Sequence, residues 1–286
     1  MNRDKERSGP RLGTVAAVVV VGLLLVCALV AIILAFRGSD DESSSRPTVT
    51  VPPTASSGEG DRIGSTDPAA QGLGTPTTDP FGGRVDVPKW PGGWALPQTP
   101  VTRAPFNPAV PVESPAGMMW QRVGDGAIVP FSTSDGPATV TGLAATGFAQ
   151  TPQGAALAGW QIVNRIGVSA NEVAAGIYDT QVLMSAAMRS ELEEGMAAQG
   201  PYYRNVTDAS VGYMSRSPAF RVVEYADDLA VVEFAGRVPA ADGGTDQWSV
   251  SRLVMVWDGG DWKVNLANNT PLEAGTVGSL EGWTAW

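Results

Sequence analysis

The chain has 286 residues, nineteen Lys and Arg against twenty-nine Asp and Glu, no histidine and one cysteine. These counts exclude His-based triads, imidazole general bases, the H-E-x-x-H zinc site, disulfides and thiolate clusters. Beyond residue 11, fifteen basic residues stand against twenty-seven acidic ones without any cluster of Lys and Arg, so no direct nucleic-acid contact is expected.

Residues 1–11 carry Arg3, Lys5, Arg7 and Arg11 and are too short to fold alone. Leu12 to Phe36 follows without a charge, long enough to span a bilayer core of roughly 30 Å. It exceeds the apolar region of a signal peptide and ends in Phe36–Arg37, with no small-residue cleavage site. Val26 before Cys27 does not fit a lipobox. The run predicts a single transmembrane helix over 12–36 in contact with membrane lipid. The basic residues before it and Asp40, Asp41 and Glu42 after it orient the chain. A short cytoplasmic tail over 1–11 and a single-pass cell-membrane protein with its mass outside are expected. Residues 37–87, rich in Ser, Thr, Pro and Gly, read as a disordered linker.

The extracytoplasmic domain is expected over 88–286. Its first part, 88–115, keeps the prolines but adds Trp90, Trp94, Val101, Phe106 and Val110, which predicts an extended segment wrapping the domain. "GMMWQRVGDGAIVPF" predicts a hairpin turning at Gly124–Gly126. In "TPQGAALAGWQIVNRIG", Thr151 is an N-cap, Pro152 suits the first helical position, and Gly167 is a stop signal. "SANE" from Ser169 to Glu172 has the spacing of a capping box for a second helix, broken or kinked near Asp179 and ending at Gly200–Pro201.

The period then changes to two. Strands are predicted over 220–225, 229–238, 247–257 and 262–266 with short connections, hence an antiparallel meander. Helices followed by strands give an α+β fold. Core positions are expected for Trp160, Trp257 and Trp262.

Helices before a curved antiparallel sheet, closing on "VMVWDGGDWKV", resemble the nuclear transport factor-like (cystatin-like) fold over residues 150–270. That resemblance implies helices packed on a curved antiparallel sheet behind the transmembrane helix and stalk. The layout of tail, span, spacer and outer domain is similar to that of TcpC-like scaffold subunits of type IV secretion and to Mce-associated membrane proteins. "FAQTPQGAALAGWQIV", Phe148 to Val163, resembles an uncharacterised actinobacterial domain carried by conjugative and integrative elements, for which no activity is implied.

The leading expectation is a non-enzymatic membrane-anchored scaffold or accessory subunit of a cell-envelope complex serving conjugative transfer or secretion. It would have protein partners, a second copy among them, and no catalytic residue, cofactor or metal. Trp90, Trp94, Trp283 and Trp286 are its expected contact residues. The alternative is a pocket protein for a small ligand, lipid or wall polymer, or an enzyme, using Tyr178, Tyr202 and Glu224.

Overall fold

The computed structural model describes residues 72–212, 214–238, 247–267 and 275–286. Its centre is helix α1 (Pro152–Val168), of whose seventeen residues fourteen are buried. The Thr151 hydroxyl accepts from the Gly154 N–H and Pro152 opens the helix, as the sequence predicts. Small residues let other layers come close. A Cβ on Gly159 would lie 3.1 Å from Leu253 Cδ1 and from Met255 Sδ, and one on Gly154 would lie 2.0 Å from the Ala149 carbonyl oxygen.

On one side of α1 lie short strands. β1 (Thr77–Thr78) pairs with β2 (Arg84–Val85), and β3 (Met119–Val123) pairs with β4 (Ala127–Phe131). The two ribbons meet at Asp86, whose N–H donates to the Trp120 carbonyl and whose carbonyl accepts from the Arg122 N–H. The hairpin β5 (Thr139–Thr141) and β6 (Ala144–Thr146) follows. On the other side lies a seven-stranded sheet of β7 (Val182–Leu183), β8 (Ala219–Ala226), β9 (Leu229–Val238), β10 (Gln247–Asp258), β11 (Asp261–Asn265), β12 (Gly275–Val277) and β13 (Thr284–Ala285). Its order is β13-β8-β9-β10-β11-β7, with β12 also on β10. Helices α2 (Asn171–Gln181) and α3 (Ala186–Gln199) and the single turn α4 (Asp208–Val211) connect the layers.

Alternation decides the faces of the sheet. Ala230, Val232 and Phe234 of β9 and Leu253 and Met255 of β10 point to α1, together with Phe220 and Val222 of β8. The hairpin β10–β11 turns through Gly259 and Gly260, both at positive φ (64° and 88°), as a two-residue turn of this hand requires. Trp257 and Trp262 face each other across it at 5.4 Å in an edge-to-face contact. The Asp261 carboxylate accepts from the N–H groups of Gly147, Phe148 and Trp262, fastening this turn to the loop before α1. Burial raises its pKa above the ordinary value of 3.8, against the pull of those hydrogen bonds and of Lys263.

Several expectations are corrected. The fold expected as helices on a curved antiparallel sheet of the nuclear transport factor-like kind is replaced by a mixed sheet. β7 runs parallel to β11, and the principal helix is enclosed between two β layers. Among the described residues no helix is long and apolar enough to cross a membrane. The tail expected over 1–11, the span over 12–36 and the linker as far as residue 71 lie outside the described residues. The end of the expected linker belongs to the folded body: Val85 is fully buried, and Asp79 and Asp86 are buried beside it. The capping box is absent. Ser169 closes α1 by donating its Oγ–H to the Arg165 carbonyl, and the N-cap of α2 is Ala170, which offers no side-chain hydrogen bond. Its break from α3 falls at Val182–Leu183, where two residues join the sheet, rather than at Asp179.

Trp160 gives the most direct check of this packing. Trp160→Ala is expected to cost about 3–5 kcal/mol in chemical denaturation, and Trp160→Phe clearly less.

Candidate contact surface

Residues 90–114 form a strap over the β3–β4 ribbon, and buried polar side chains hold its path. The Trp94 N–H donates to Gln121 Oε1 at 2.7 Å, while Gln121 Nε2 donates to the Trp94 carbonyl at 2.8 Å. Gln121 lies fully buried on β3, so its amide acts as one rung of a ladder for a residue outside any strand. Gly93 makes this approach feasible: its φ is 104°, and a Cβ there would lie 2.6 Å from Phe131 Cζ. One residue earlier, the Gly92 carbonyl accepts from Arg165 Nη1 at 2.9 Å. Further along, the Thr99 N–H donates to the Thr133 carbonyl at 2.6 Å and Gln98 Nε2 to the Ser132 carbonyl at 2.9 Å.

Arg103 makes the strongest attachment. Its Nη1 and Nη2 donate to the two oxygens of Asp135 at 2.9 and 2.7 Å, a bidentate pair with the carboxylate fully buried. Asp135 also accepts from Thr151 Oγ1 at 2.7 Å and from the Ser134 hydroxyl. One carboxylate thereby joins the strap to the N-cap of α1.

Between these attachments the strap turns apolar groups outward. Trp94 is 46 % exposed, Val101 43 % and Val110 58 %. Across residues 90–112 Arg103 is the only formally charged side chain, and Asp135 engages it. A surface segment without a free charge, on a chain of net charge −10, meets an apolar partner at little desolvation cost.

The expected contact residues divide. Trp94 faces solvent and Trp90 is half-buried. Trp283 is buried and Trp286 half-buried. Trp283 is buried with Ala219, Ala235 and Val250, under the Arg221 guanidinium at 4.8 Å. Trp286 packs at 4.4 Å from Phe220 and 5.6 Å from Trp120, between the layers. Their terminal position in the sequence suggests exposure; the sheet edge and the aromatic core claim them instead.

The expected pocket residues do not converge. Tyr178 is buried on α2, its hydroxyl without a hydrogen-bond partner among the described residues and its pKa raised by burial. Tyr202 is 80 % exposed, and Glu224 is exposed on β8. Among the described residues there is no group of three or more His, Cys, Asp or Glu suited to a metal ion.

Sequence reading missed Gln121, Asp135 and Arg165. Arg165 is fully buried with no carboxylate partner among the described residues, donating to Gln161 Oε1 and to the Gly92 and Leu143 carbonyls, and burial lowers its pKa to about 9. Each of the three acts across a separation that no local pattern encodes. One signal was available: Arg103 is the lone charge in an otherwise uncharged stretch.

This geometry defines a module of helices and a mixed sheet that carries a clamped apolar strap. The chain belongs to the family described as a domain of unknown function (DUF8175), whose model matches residues 86–285. No curated protein and no solved structure matches it.

Two substitutions test the polar groups. Arg103→Ala leaves Asp135 buried and unpaired, so a loss of about 3–5 kcal/mol and faster proteolysis within the strap are expected. Tyr178→Phe removes an unpartnered buried hydroxyl and is expected to be neutral or to stabilise by up to about 1 kcal/mol in thermal denaturation.

Proposed function

We propose that this chain is a non-enzymatic contact subunit of a cell-envelope complex. The uncharged run 12–36 tethers it at the cell membrane, its folded part lies outside, and the complex serves conjugative transfer or secretion. The observation that carries this reading is the strap. Trp94 and Val101 point outward from a backbone held by Gln121, Thr133 and Asp135. An aromatic anchor on a pre-ordered backbone loses little entropy on association, and rigid exposed Trp is the residue type that dominates binding interfaces. The uncharged run and the basic residues before it support the tether and its direction. The reading assigns no bond-making step to the chain.

The test is affinity purification of the full-length chain from gently solubilised membranes after cross-linking in cells, read by mass spectrometry. A transfer ATPase and channel proteins are expected with the wild type. Trp94→Asp is expected to lose them while changing folding stability by no more than about 0.5 kcal/mol, the usual range for an exposed position. Recovery of the wild-type chain alone and monomeric contradicts the proposal.

A further inference from the structure

The outer edge of β8 is left without a strand along most of its length. β13 pairs with Ala219 and Phe220 only, whereas β8 runs to Ala226. From Arg221 onward, among the described residues, no backbone group of β8 bonds to anything but β9. An open edge of this kind is a template for another strand.

The second half of the strap runs along it. Phe106 lies 5.8 Å from the Tyr225 ring. The Val112 carbonyl accepts from Thr284 Oγ1, and Ser114 Oγ donates to the Ala285 carbonyl. Thr284 and Ala285 are the residues opposite Phe220 and Ala219. The strap from 106 to 114 therefore passes β8 in the opposite direction, from Tyr225 towards Ala219. It stays beside the edge without pairing: among the described residues, the one backbone-to-backbone hydrogen bond within 104–112 runs from the Val110 N–H to the Asn107 carbonyl. Pro105, Pro108 and Pro111 have no N–H to offer a ladder.

The edge itself is suited to its own copy. A bulge at Val223 shifts the register, so that Arg221 stands opposite Glu233, to which its Nε and Nη2 donate, and Glu224 stands opposite Val231. Both therefore lie on the sheet face turned away from α1. Val223 is 40 % exposed, and Glu224 has no ion pair among the described residues. In an antiparallel pairing of two β8 edges centred between Val222 and Val223, Arg221 of each copy falls opposite Glu224 of the other. Two symmetric opposite-charge pairs then flank the valines.

We infer that residues 104–112 are a guard on the β8 edge, and that this edge pairs with β8 of a second copy when the guard is moved aside. The guard covers the edge through one aromatic contact and is fastened at its two ends, by Arg103 on Asp135 and by Val112 on Thr284. It therefore moves away without breaking a ladder.

Disulfide trapping in native membranes tests this with the full-length chain carrying Cys27→Ser and Val223→Cys. With the guard in place a trace of disulfide-linked dimer is expected under mild oxidation. With 104–111 replaced by Gly and Ser at equal length, the dimer is expected to become the major species. Adding Glu224→Arg, which sets like charges opposite each other, is expected to return it to a trace, and Glu224→Asp to retain it. Where the replaced chain does not accumulate, Phe106→Ala alone must raise the dimer in the same sense. No rise on opening the guard, or a dimer indifferent to Glu224→Arg, overturns the inference.

Discussion

Trp160 touches both β layers at once, and the rest of the structure is arranged around that fact. Its indole N–H donates to the Ile128 carbonyl on β4 at 3.0 Å, and its ring lies 5.4 Å from Phe234 of the sheet. Trp120 meets it edge-to-face at 6.2 Å and passes the contact on to Trp286. A helix with so wide a buried surface cannot be an ordinary amphipathic element with a wet face. It needs a covering on each side, and the N-terminal ribbons and the sheet supply them. The Ala and Gly residues of α1 keep it thin enough for both layers to close on it. The tryptophan supplies the apolar area that those small residues lack.

The strap depends on a different principle, the cost of burying polar groups. Asp135, Gln121 and Arg165 sit where an unpaired group would cost several kcal/mol. Asp135 and Gln121 are matched to the strap and Arg165 reaches it through Nη1, though among the described residues its Nη2 has no partner, so alternative paths for residues 90–103 leave further groups without theirs. Buried polar groups of this kind add little net stability but select one route for the chain. An apolar core alone would leave a proline-rich segment free to lie in many ways. The β8 edge combines a bulge, exposed charges and a covering that runs beside it without a ladder.

Local chemistry was legible in the sequence. Thr151 and Pro152 start α1 through short-range capping, Gly259 and Gly260 turn the last hairpin, and the period-two stretches mark β8 to β11. What depended on distant partners was not legible. Ser169 fits a capping box by spacing, yet its hydroxyl finds the Arg165 carbonyl one turn back. Trp283 and Trp286 look terminal, yet the sheet edge brings them into the core. β7 is two residues between helices, and nothing local marks Val182 as a parallel neighbour of Val264. The stretch Phe148–Val163 forms the cap and first turns of the central helix. Its pattern thus reports packing between layers. Of the candidate contacts, Trp94 was legible as an unusual tryptophan among prolines, whereas its clamp by Gln121 was not.

The account makes the strap the working surface of the protein. Its attachments resist movement between Trp94 and Arg103, where Ala95 and Leu96 pack against the core and Trp94 and Val101 face solvent. The measurement that bears on this most directly is photo-cross-linking in intact cells from a probe placed at residue 101, compared with one at residue 193 on the exposed face of α3. The account predicts a discrete protein adduct from position 101 that disappears with Trp94→Asp, and none from position 193. Equal adducts from the two positions, or an adduct at 101 unaffected by Trp94→Asp, would contradict it.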